Sequence, residues 1–150
     1  MEFSVFQRPT IKKPFSFSSS AEVYQKMKGY QKADREIFVL LFLNSKNVVT
    51  NIETHTIGSV DTSAVYPQQI FRSALLNNAS SIICVHNHPS GDPDPSVSDR
   101  EITKQISIGS HVIGIRLLDH VVLGDGHYFS FADDGLIEDY EKESEKRFKF

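Results

Sequence analysis

The stretch "SSIICVHNHPSGDPDPSVSDR", residues 80–100, begins with an apolar run and continues with two histidines, three prolines and a glycine. The run up to Val85 is short and continuous, which is typical of a strand buried on both faces. The prolines and the glycine that follow indicate a stiff turn. From Ser96 onward the sequence has the pattern of a helix that begins at a polar cap. The stretch therefore predicts a strand, a turn and a helix in direct succession.

Strands and helices alternate on both sides of this unit. Apolar runs of strand length at residues 35–44 and 48–58 are separated by a short polar turn and suggest a hairpin. Further strands are predicted over 111–126 and 127–131, and helices over 21–30, 66–79, 96–110 and 136–150. This order predicts one α/β (α+β) domain with a central mixed β-sheet flanked by helices.

The composition fits one folded domain and gives no support for a nucleic-acid partner. A chain of 150 residues that is 39% hydrophobic can bury a single core. Sixteen basic and nineteen acidic residues give a net charge of -3, so the positive field that drives non-specific duplex binding is missing. Binding to nucleic acid stays open but is unsupported by charge.

The single cysteine, Cys84, cannot form an internal disulfide, and the sequence has no apparent secretion signal or membrane-spanning run. These features predict a cytoplasmic protein without membrane contact. We expect an N-terminal arm over residues 1–20, a domain over 21–136 and a charged C-terminal helix over 137–150. The arm and the tail are candidates for self-association, which makes a homo-oligomer a further expectation.

The two histidines at the end of the central strand are spaced to bind a metal ion. Side chains alternate along a strand, so His86 and His88 point to one face and Asn87 to the other if the strand continues that far. The stiff turn can bring Asp99, on the first turn of the next helix, back to them. Two imidazoles and a carboxylate leave a zinc ion a fourth position for water, as catalytic zinc requires.

Ser96 has two compatible interpretations. It stands three residues before Asp99, a spacing that fits a helix N-cap followed by an acid in the first turn. Its hydroxyl also lies on the same turn as the proposed carboxylate ligand, where it can hold the oxyanion of a tetrahedral intermediate.

Other interpretations of the same residues remain. An isolated His-x-His is more often a pair of surface or core histidines than a metal site. Cys84 lies on the same strand face and could be a thiolate ligand or nucleophile, although a cysteine in an apolar run usually acts as a small buried hydrophobe. Asp119 could hydrogen-bond a ligating histidine. The remaining histidines have no paired spacing and are interpreted as ordinary residues: His55, His111, His120 and His127.

The tripeptide His86-Asn87-His88 also spells the letters of the HNH nucleases. That name describes dispersed residues of a ββα metal motif, and the proline-rich turn leaves no place for its second strand. We therefore reject this interpretation.

The segment "HNHPSGDPDPS" followed by "VSD" resembles the signature of the RadC family, a bacterial branch of the JAMM (MPN+) metalloprotein superfamily. The family pattern is a distant glutamate, then His-x-His, then Ser-x-x-Asp. The segments "REIFVLLFLNSKN", "PQQIFRSALLNNASSII" and "LLDHVVLGDGHYFSF" resemble further family elements, so the likeness covers all but the opening arm and the charged tail.

The resemblance implies a JAMM/MPN-like domain with a cytidine-deaminase-like architecture and one zinc ion. It implies that His86, His88 and Asp99 are the zinc ligands, that Ser96 supports the oxyanion and that Glu36 is the general base. Spacing alone does not identify Glu36, because an acid that opens an apolar strand is otherwise a boundary residue.

The sequence departs from the family in two respects. Gln68 and Gln69 follow Pro67 where family members commonly carry an Arg-Glu pair, and the chain is too short for the upstream helix-hairpin-helix segment of longer RadC proteins. We therefore expect a stand-alone domain.

Two function classes follow from the resemblance. The first is a zinc hydrolase of the JAMM type that cleaves an amide or isopeptide bond in an unknown protein or peptide substrate. The second is a non-catalytic or accessory module in DNA repair or other DNA transactions. The complete set of base, ligands and oxyanion donor favours the hydrolase.

Overall fold

The computed structural model describes residues 14–58 and 65–149. The predicted N-terminal arm therefore lies outside the described residues as far as residue 13, and the last residue of the predicted tail also lies outside them. Within the described ranges, the mixed α/β domain expected from the sequence is confirmed.

The described residues form one sheet of six strands. The strands are β1 (Phe15–Ser16), β2 (Ile37–Leu43), β3 (Val48–Ile57), β4 (Ser81–Asn87), β5 (Arg116–Leu123) and β6 (Tyr128–Ser130). Their order in the sheet is β1-β3-β2-β4-β5-β6. Neighbours are antiparallel except β4 and β5, which are parallel. The predicted hairpin is β2 and β3, and the apolar runs of β2 and β4 are the two central strands.

Four α-helices complete the described part of the chain. They are α1 (Ser20–Met27), continued by a 3₁₀ turn over Lys28–Lys32, then α2 (Pro67–Leu76), α3 (Val97–Ile113) and α4 (Leu136–Arg147). The helix α3 connects the parallel strands β4 and β5, as a parallel pair requires.

The strand predicted from residue 111 begins later in the structure. Residues 111–113 are the last turn of α3, and β5 begins at Arg116. Gly114 ends the helix in the left-handed conformation, with φ of +81°, and donates its N–H to the carbonyl of Ser110. Glycine adopts this conformation without a Cβ penalty, so it is a helix stop. The apolar residues around Gly114 also fit the pattern of a strand, so the sequence predicts the strand too early.

The sheet is covered on both faces, which explains why β2 and β4 are buried at every position. Alternate residues of the central strands, including Phe38 and Ile82, pack with α2, α3 and α4. The intervening residues, including Val39 and Ile83, pack with α1 and the 3₁₀ turn. His86 follows Cys84 in the alternation and so lies on the α3 side of the sheet.

The C-terminal helix is charged, as expected, but it is only partly exposed. Ile137 and Ser144 are buried, and Tyr140 packs against the core on the α3 side. Ion pairs such as Lys104 with Glu143 join α3 to α4 on the outside. The helix is therefore part of the packed domain.

The turn between β4 and α3 packs tightly against the turn between β5 and β6. His88 donates its backbone N–H to the carbonyl of Leu123 at 3.0 Å, and Asp125 donates to the carbonyl of Gly91 at 2.8 Å. A Cβ on Gly124 would lie 2.6 Å from the Gly91 oxygen and 2.6 Å from Cδ of Pro93. Glycine is thus required at this point of close approach.

Candidate metal centre

Three potential ligands converge at the C-terminal end of β4. The Nε2 atoms of His86 and His88 are 3.0 Å apart. Oxygens of the Asp99 carboxylate lie 3.3 Å from His86 Nε2 and 3.1 Å from His88 Nε2. Within the ranges that the structure describes, His86, His88 and Asp99 are the one group of three histidine, cysteine or acidic residues whose ligand atoms all lie within 4.8 Å of one another. The convergence expected from strand alternation is present.

The donor set fits a zinc ion. Two ligands at about 2.0–2.1 Å from a tetrahedral zinc ion stand roughly 3.3 Å from each other. The separations of 3.0–3.3 Å between the donors are close to that spacing. Two imidazole nitrogens and one carboxylate are also a common ligand set of catalytic zinc, with a position left for water.

His88 is oriented by the turn that follows it. The side chain of His88 comes directly after β4, and its Nδ1 lies 2.8 Å from the carbonyl oxygen of Asp92. Because a carbonyl oxygen only accepts, Nδ1 carries the proton and donates it, which leaves Nε2 bare. The proline-rich turn therefore sets which nitrogen of His88 faces the cluster.

His86 is oriented by a residue that the sequence predicts to be an ordinary histidine. Its Nδ1 lies 2.7 Å from Nε2 of His120 on the neighbouring strand β5. Burial lowers the pKa of His120 well below its usual value, so this imidazole is neutral. The interpretation of His120 is therefore wrong: it is the hydrogen-bond partner of a candidate ligand.

Asp99 is held by the start of α3. Its carboxylate accepts the backbone N–H of Ser96 at 2.8 Å, while the Ser96 hydroxyl accepts the backbone N–H of Asp99 at 3.0 Å. These reciprocal bonds form a capping box, which confirms Ser96 as the N-cap. The cap uses an acceptor site of the Ser96 hydroxyl, so its proton is still available for donation. The proposed oxyanion role of Ser96 stays a prediction.

The cluster has the electrostatics of a cation site. Burial raises the pKa of Asp99, but its interactions with the His86 and His88 rings and with the backbone N–H of Ser96 outweigh burial and hold that pKa well below its usual range. Burial lowers the pKa of His88, yet the hydrogen bond to Asp99 and further interactions, including the charge of Glu36, raise it overall. A fixed carboxylate among imidazoles therefore favours positive charge at this place.

Glu36 precedes β2, and its negative charge acts on His88. Phe38, two residues along, pairs with His86 across the β2–β4 ladder, so Glu36 lies at the same end of the sheet as the cluster. Its side chain is half-buried. Its role as a general base remains a prediction.

Asn87, between the two histidines, holds the backbone on both sides of Glu36. Its Oδ1 accepts the N–H of Ile37 at 2.8 Å, and its Nδ2 donates to the carbonyl of Arg35 at 3.0 Å. Asn87 is fully buried. Strand alternation predicts only that Asn87 points away from the histidines. It does not predict this contact, because the partners are about fifty residues apart.

The sequence suggests Asp119 as an acid that orients a ligand, but in the structure its side chain makes other contacts. Its carboxylate accepts hydrogen bonds from the Ser130 hydroxyl and from the backbone N–H groups of Ala132 and His120. Burial raises its pKa to about 6. These bonds fix the chain after β6, so Asp119 holds the fold rather than a ligand side chain.

The remaining candidates lie outside the cluster. Cys84 is buried in the core, and burial raises the pKa of its thiol, so it stays protonated and apart from the cluster. His55 packs its ring edge against Phe38, and His127 interacts with the carbonyl of Asp125. Gln68 and Gln69 are exposed on the first turn of α2.

None of the helices in the described ranges is both long and apolar enough to cross a bilayer.

Comparison with known proteins places most of the chain in one family. Residues 17–136 match a family described as the RadC-like JAB domain. A UPF0758 protein of Methanosarcina mazei is 43% identical over 115 residues, which are 77% of this chain and 49% of the relative. A UPF0758 protein of Shouchella clausii is 43% identical over 131 residues, 87% of this chain and 54% of the relative. A third, from Caldanaerobacter subterraneus, is 44% identical over 125 residues, 83% and 54% of the two chains. The chain spans about half the length of the curated relatives it matches.

Proposed function

The chain belongs to the family of RadC-like JAB domains, and on this premise we propose that it is a zinc-dependent hydrolase of the JAMM type that cleaves an amide or isopeptide bond. One observation carries the proposal: the Nε2 atoms of His86 and His88 lie 3.0 Å apart, and each lies 3.1–3.3 Å from one of the two carboxylate oxygens of Asp99. Both histidines have their other ring nitrogen occupied by a hydrogen-bond partner. Metal-ligating histidines commonly show this arrangement.

Zinc at this site would lower the pKa of a water molecule and polarise a carbonyl group. The side chains of the protein transfer the proton of the water and stabilise the negative charge of the oxyanion. The Glu36 carboxylate takes a proton from the water and gives it to the leaving amine, which is general base and then general acid catalysis. The Ser96 hydroxyl, with its proton free of the helix cap, donates to the oxyanion.

The substrate is proposed only as a class. An amide or isopeptide bond in a protein or peptide fits a site with one carboxylate base and one hydroxyl donor. We place the activity in the cytoplasm, where the thiol of Cys84 is in keeping with a reducing compartment.

Metal content tests the ligand set. Protein purified without a histidine tag should contain one zinc ion per chain by native mass spectrometry, and the double variant His86→Ala, His88→Ala should contain none. Stoichiometric zinc in that double variant would remove the basis of the proposal.

Glu36→Gln separates an enzyme from a metal-stabilised module. It removes the proton acceptor but keeps the size of the side chain, so zinc content and thermal stability should match the parent. Turnover of a cleavable isopeptide or amide substrate should fall about 10²–10⁴-fold, the usual contribution of general acid–base catalysis. Biological activity that is the same in Glu36→Gln and in the parent would favour the accessory module in DNA transactions.

A further inference from the structure

A chain of hydrogen bonds leads from the backbone of α3 to His86. His86 Nδ1 lies 2.7 Å from His120 Nε2, and His120 Nδ1 lies 2.6 Å from the Thr103 hydroxyl oxygen. That hydroxyl lies 2.6 Å from the backbone carbonyl oxygen of Asp99. The side chains of His86, His120 and Thr103 have a relative exposure of 0%, so each donor in this series of hydrogen bonds needs an acceptor within the protein.

The Asp99 carbonyl oxygen, at the end of this series of hydrogen bonds, determines which atom is the donor in each bond. Because a carbonyl has no proton to give, the Thr103 hydroxyl donates to it. A hydroxyl has one proton, so Thr103 can only accept from His120, and the proton of that imidazole is on Nδ1. A neutral imidazole has one N–H, so His120 Nε2 is bare and accepts from Nδ1 of His86.

The opposite order conflicts with the Thr103 contact and with metal binding by His86. If Thr103 donated to His120, no hydrogen would lie between the Thr103 oxygen and the Asp99 carbonyl oxygen, which are 2.6 Å apart. His120 would then donate to His86, whose own proton would move to Nε2. That proton would lie on the nitrogen that faces the cluster, where the Asp99 carboxylate 3.3 Å away would accept it, and the nitrogen would have no lone pair left for a metal ion.

We infer that His120 and Thr103 are positioning residues that hold His86 in the Nδ1–H tautomer, with the lone pair of Nε2 directed at the metal. The inference rests on the proposed metal site and deepens it. The two histidine ligands are set in different ways. The carbonyl of Asp92 orients His88 directly, whereas His86 depends on a relay through two side chains that starts at the carbonyl of Asp99.

The tautomers can be measured directly without any metal. In protein stripped with a chelator, the ¹⁵N shifts of the imidazole nitrogens separate Nδ1–H from Nε2–H rings. We expect Nδ1–H for both His86 and His120. Finding the proton on Nε2 of His86 would overturn the inference, whatever the protein does as an enzyme.

Thr103→Val keeps the shape of the side chain but removes the hydroxyl, so His120 Nδ1 loses the acceptor that determines its tautomer. The ¹⁵N shifts of His86 should then report a mixture of tautomers. Zinc affinity, measured by competition with a chelator, should fall about 10–100-fold, as for other partners of metal-ligating histidines. Thr103→Ser restores the hydroxyl and should restore both readouts.

Ser110→Ala is the matched control. Ser110 has a buried hydroxyl on the same helix, and its Oγ has no hydrogen-bond partner among the residues that the structure describes. It should change neither the tautomers nor the zinc affinity. A Thr103→Val protein that is as well folded as Ser110→Ala and binds zinc like the parent would contradict the inference. A parent that binds no zinc would instead contradict the proposed function, while the tautomer measurement would still stand as the test of the relay.

Discussion

The side-chain oxygen of Asn87 accepts a hydrogen bond from the backbone N–H of Ile37 at 2.8 Å. Asn87 is the last residue of β4 and stands between the two candidate histidine ligands, and Ile37 begins the strand that Glu36 precedes. The same asparagine donates to the carbonyl of Arg35. One side chain therefore ties the position of the proposed base to the strand that leads to the candidate ligands.

Asn87→Ala should reduce turnover without removing zinc. The change leaves the buried N–H of Ile37 without its partner, which should cost about 1–3 kcal/mol of stability. A displaced Glu36 should lower turnover by up to about 10²-fold, the cost of a misplacement of about 1 Å. The measurements are zinc content, the free energy of unfolding and the turnover number.

Two further variants distinguish an effect on the position of Glu36 from an effect on the stability of the protein. Asn44→Ala removes a side chain that also accepts two backbone N–H groups, at the opposite end of the sheet, so it should cost stability and leave turnover unchanged. In Asn87→Ala combined with Glu36→Gln, the loss should be no larger than in Glu36→Gln alone. Full additivity of the two losses would show that Asn87 does not act through Glu36.

Ser96→Ala should separate the two tasks of this serine. Loss of the N-cap should cost about 1 kcal/mol, with zinc retained, and loss of the oxyanion donor should lower turnover. Ser19→Ala removes the cap of α1, whose hydroxyl accepts the N–H of Glu22. It should cost similar stability and leave turnover alone. If both variants retain full turnover in the same assay, Ser96 is a cap only.

The convergence of the three candidate ligands could be predicted from the sequence because their geometry is local. Alternation along one strand places His86 and His88 on one face, and a short stiff turn returns Asp99 to them. Strand and helix periods also gave the order of the elements. Glu36 lies fifty residues upstream, and no local pattern marks it, so only the family resemblance identified it.

His120 and Thr103 could not be recognised in the same way. A lone histidine on an apolar strand carries no signal of its own. Its contact with His86 depends on the parallel pairing of β4 and β5, which has an irregularity between Ile82 and Ile83 that shifts the register. A side-chain period cannot reveal a register of this kind, because the two strands are joined through a whole helix.

Gly124→Ala should weaken zinc binding from outside the site. The new Cβ would meet the backbone oxygen of Gly91 and the ring of Pro93, each at 2.6 Å. Relief of this clash has to move the turn that carries the Asp92 carbonyl, the partner of His88. We expect a loss of about 1–3 kcal/mol in stability, as for other overpacked sites, and a lower zinc affinity by chelator competition.

Gly126→Ala in the same turn is the control for this prediction. Gly126 has a positive φ of +75°, and a Cβ there would meet nothing within 4 Å. The variant should therefore lose stability through backbone strain alone and bind zinc like the parent. Equal zinc affinities in the two variants would mean that the turn does not orient His88.

The stability of the protein should depend on pH in opposite ways with and without metal. Without metal, interactions dominated by Asp99 raise the pKa of His88 above 6.5. This contribution is complete below pH 6.5 and is lost as the pH rises through the folded-state value. The contributions of Asp119, with a pKa of about 6, and of His120, with a lowered pKa, change mainly below pH 6.5.

Zinc requires unprotonated imidazoles, so the stabilisation that zinc provides grows with pH. Urea unfolding of chelated and zinc-loaded protein from pH 6.5 upward measures both slopes, and His88→Gln should remove the metal-free slope. A metal-free slope that persists in His88→Gln would show that another group is responsible.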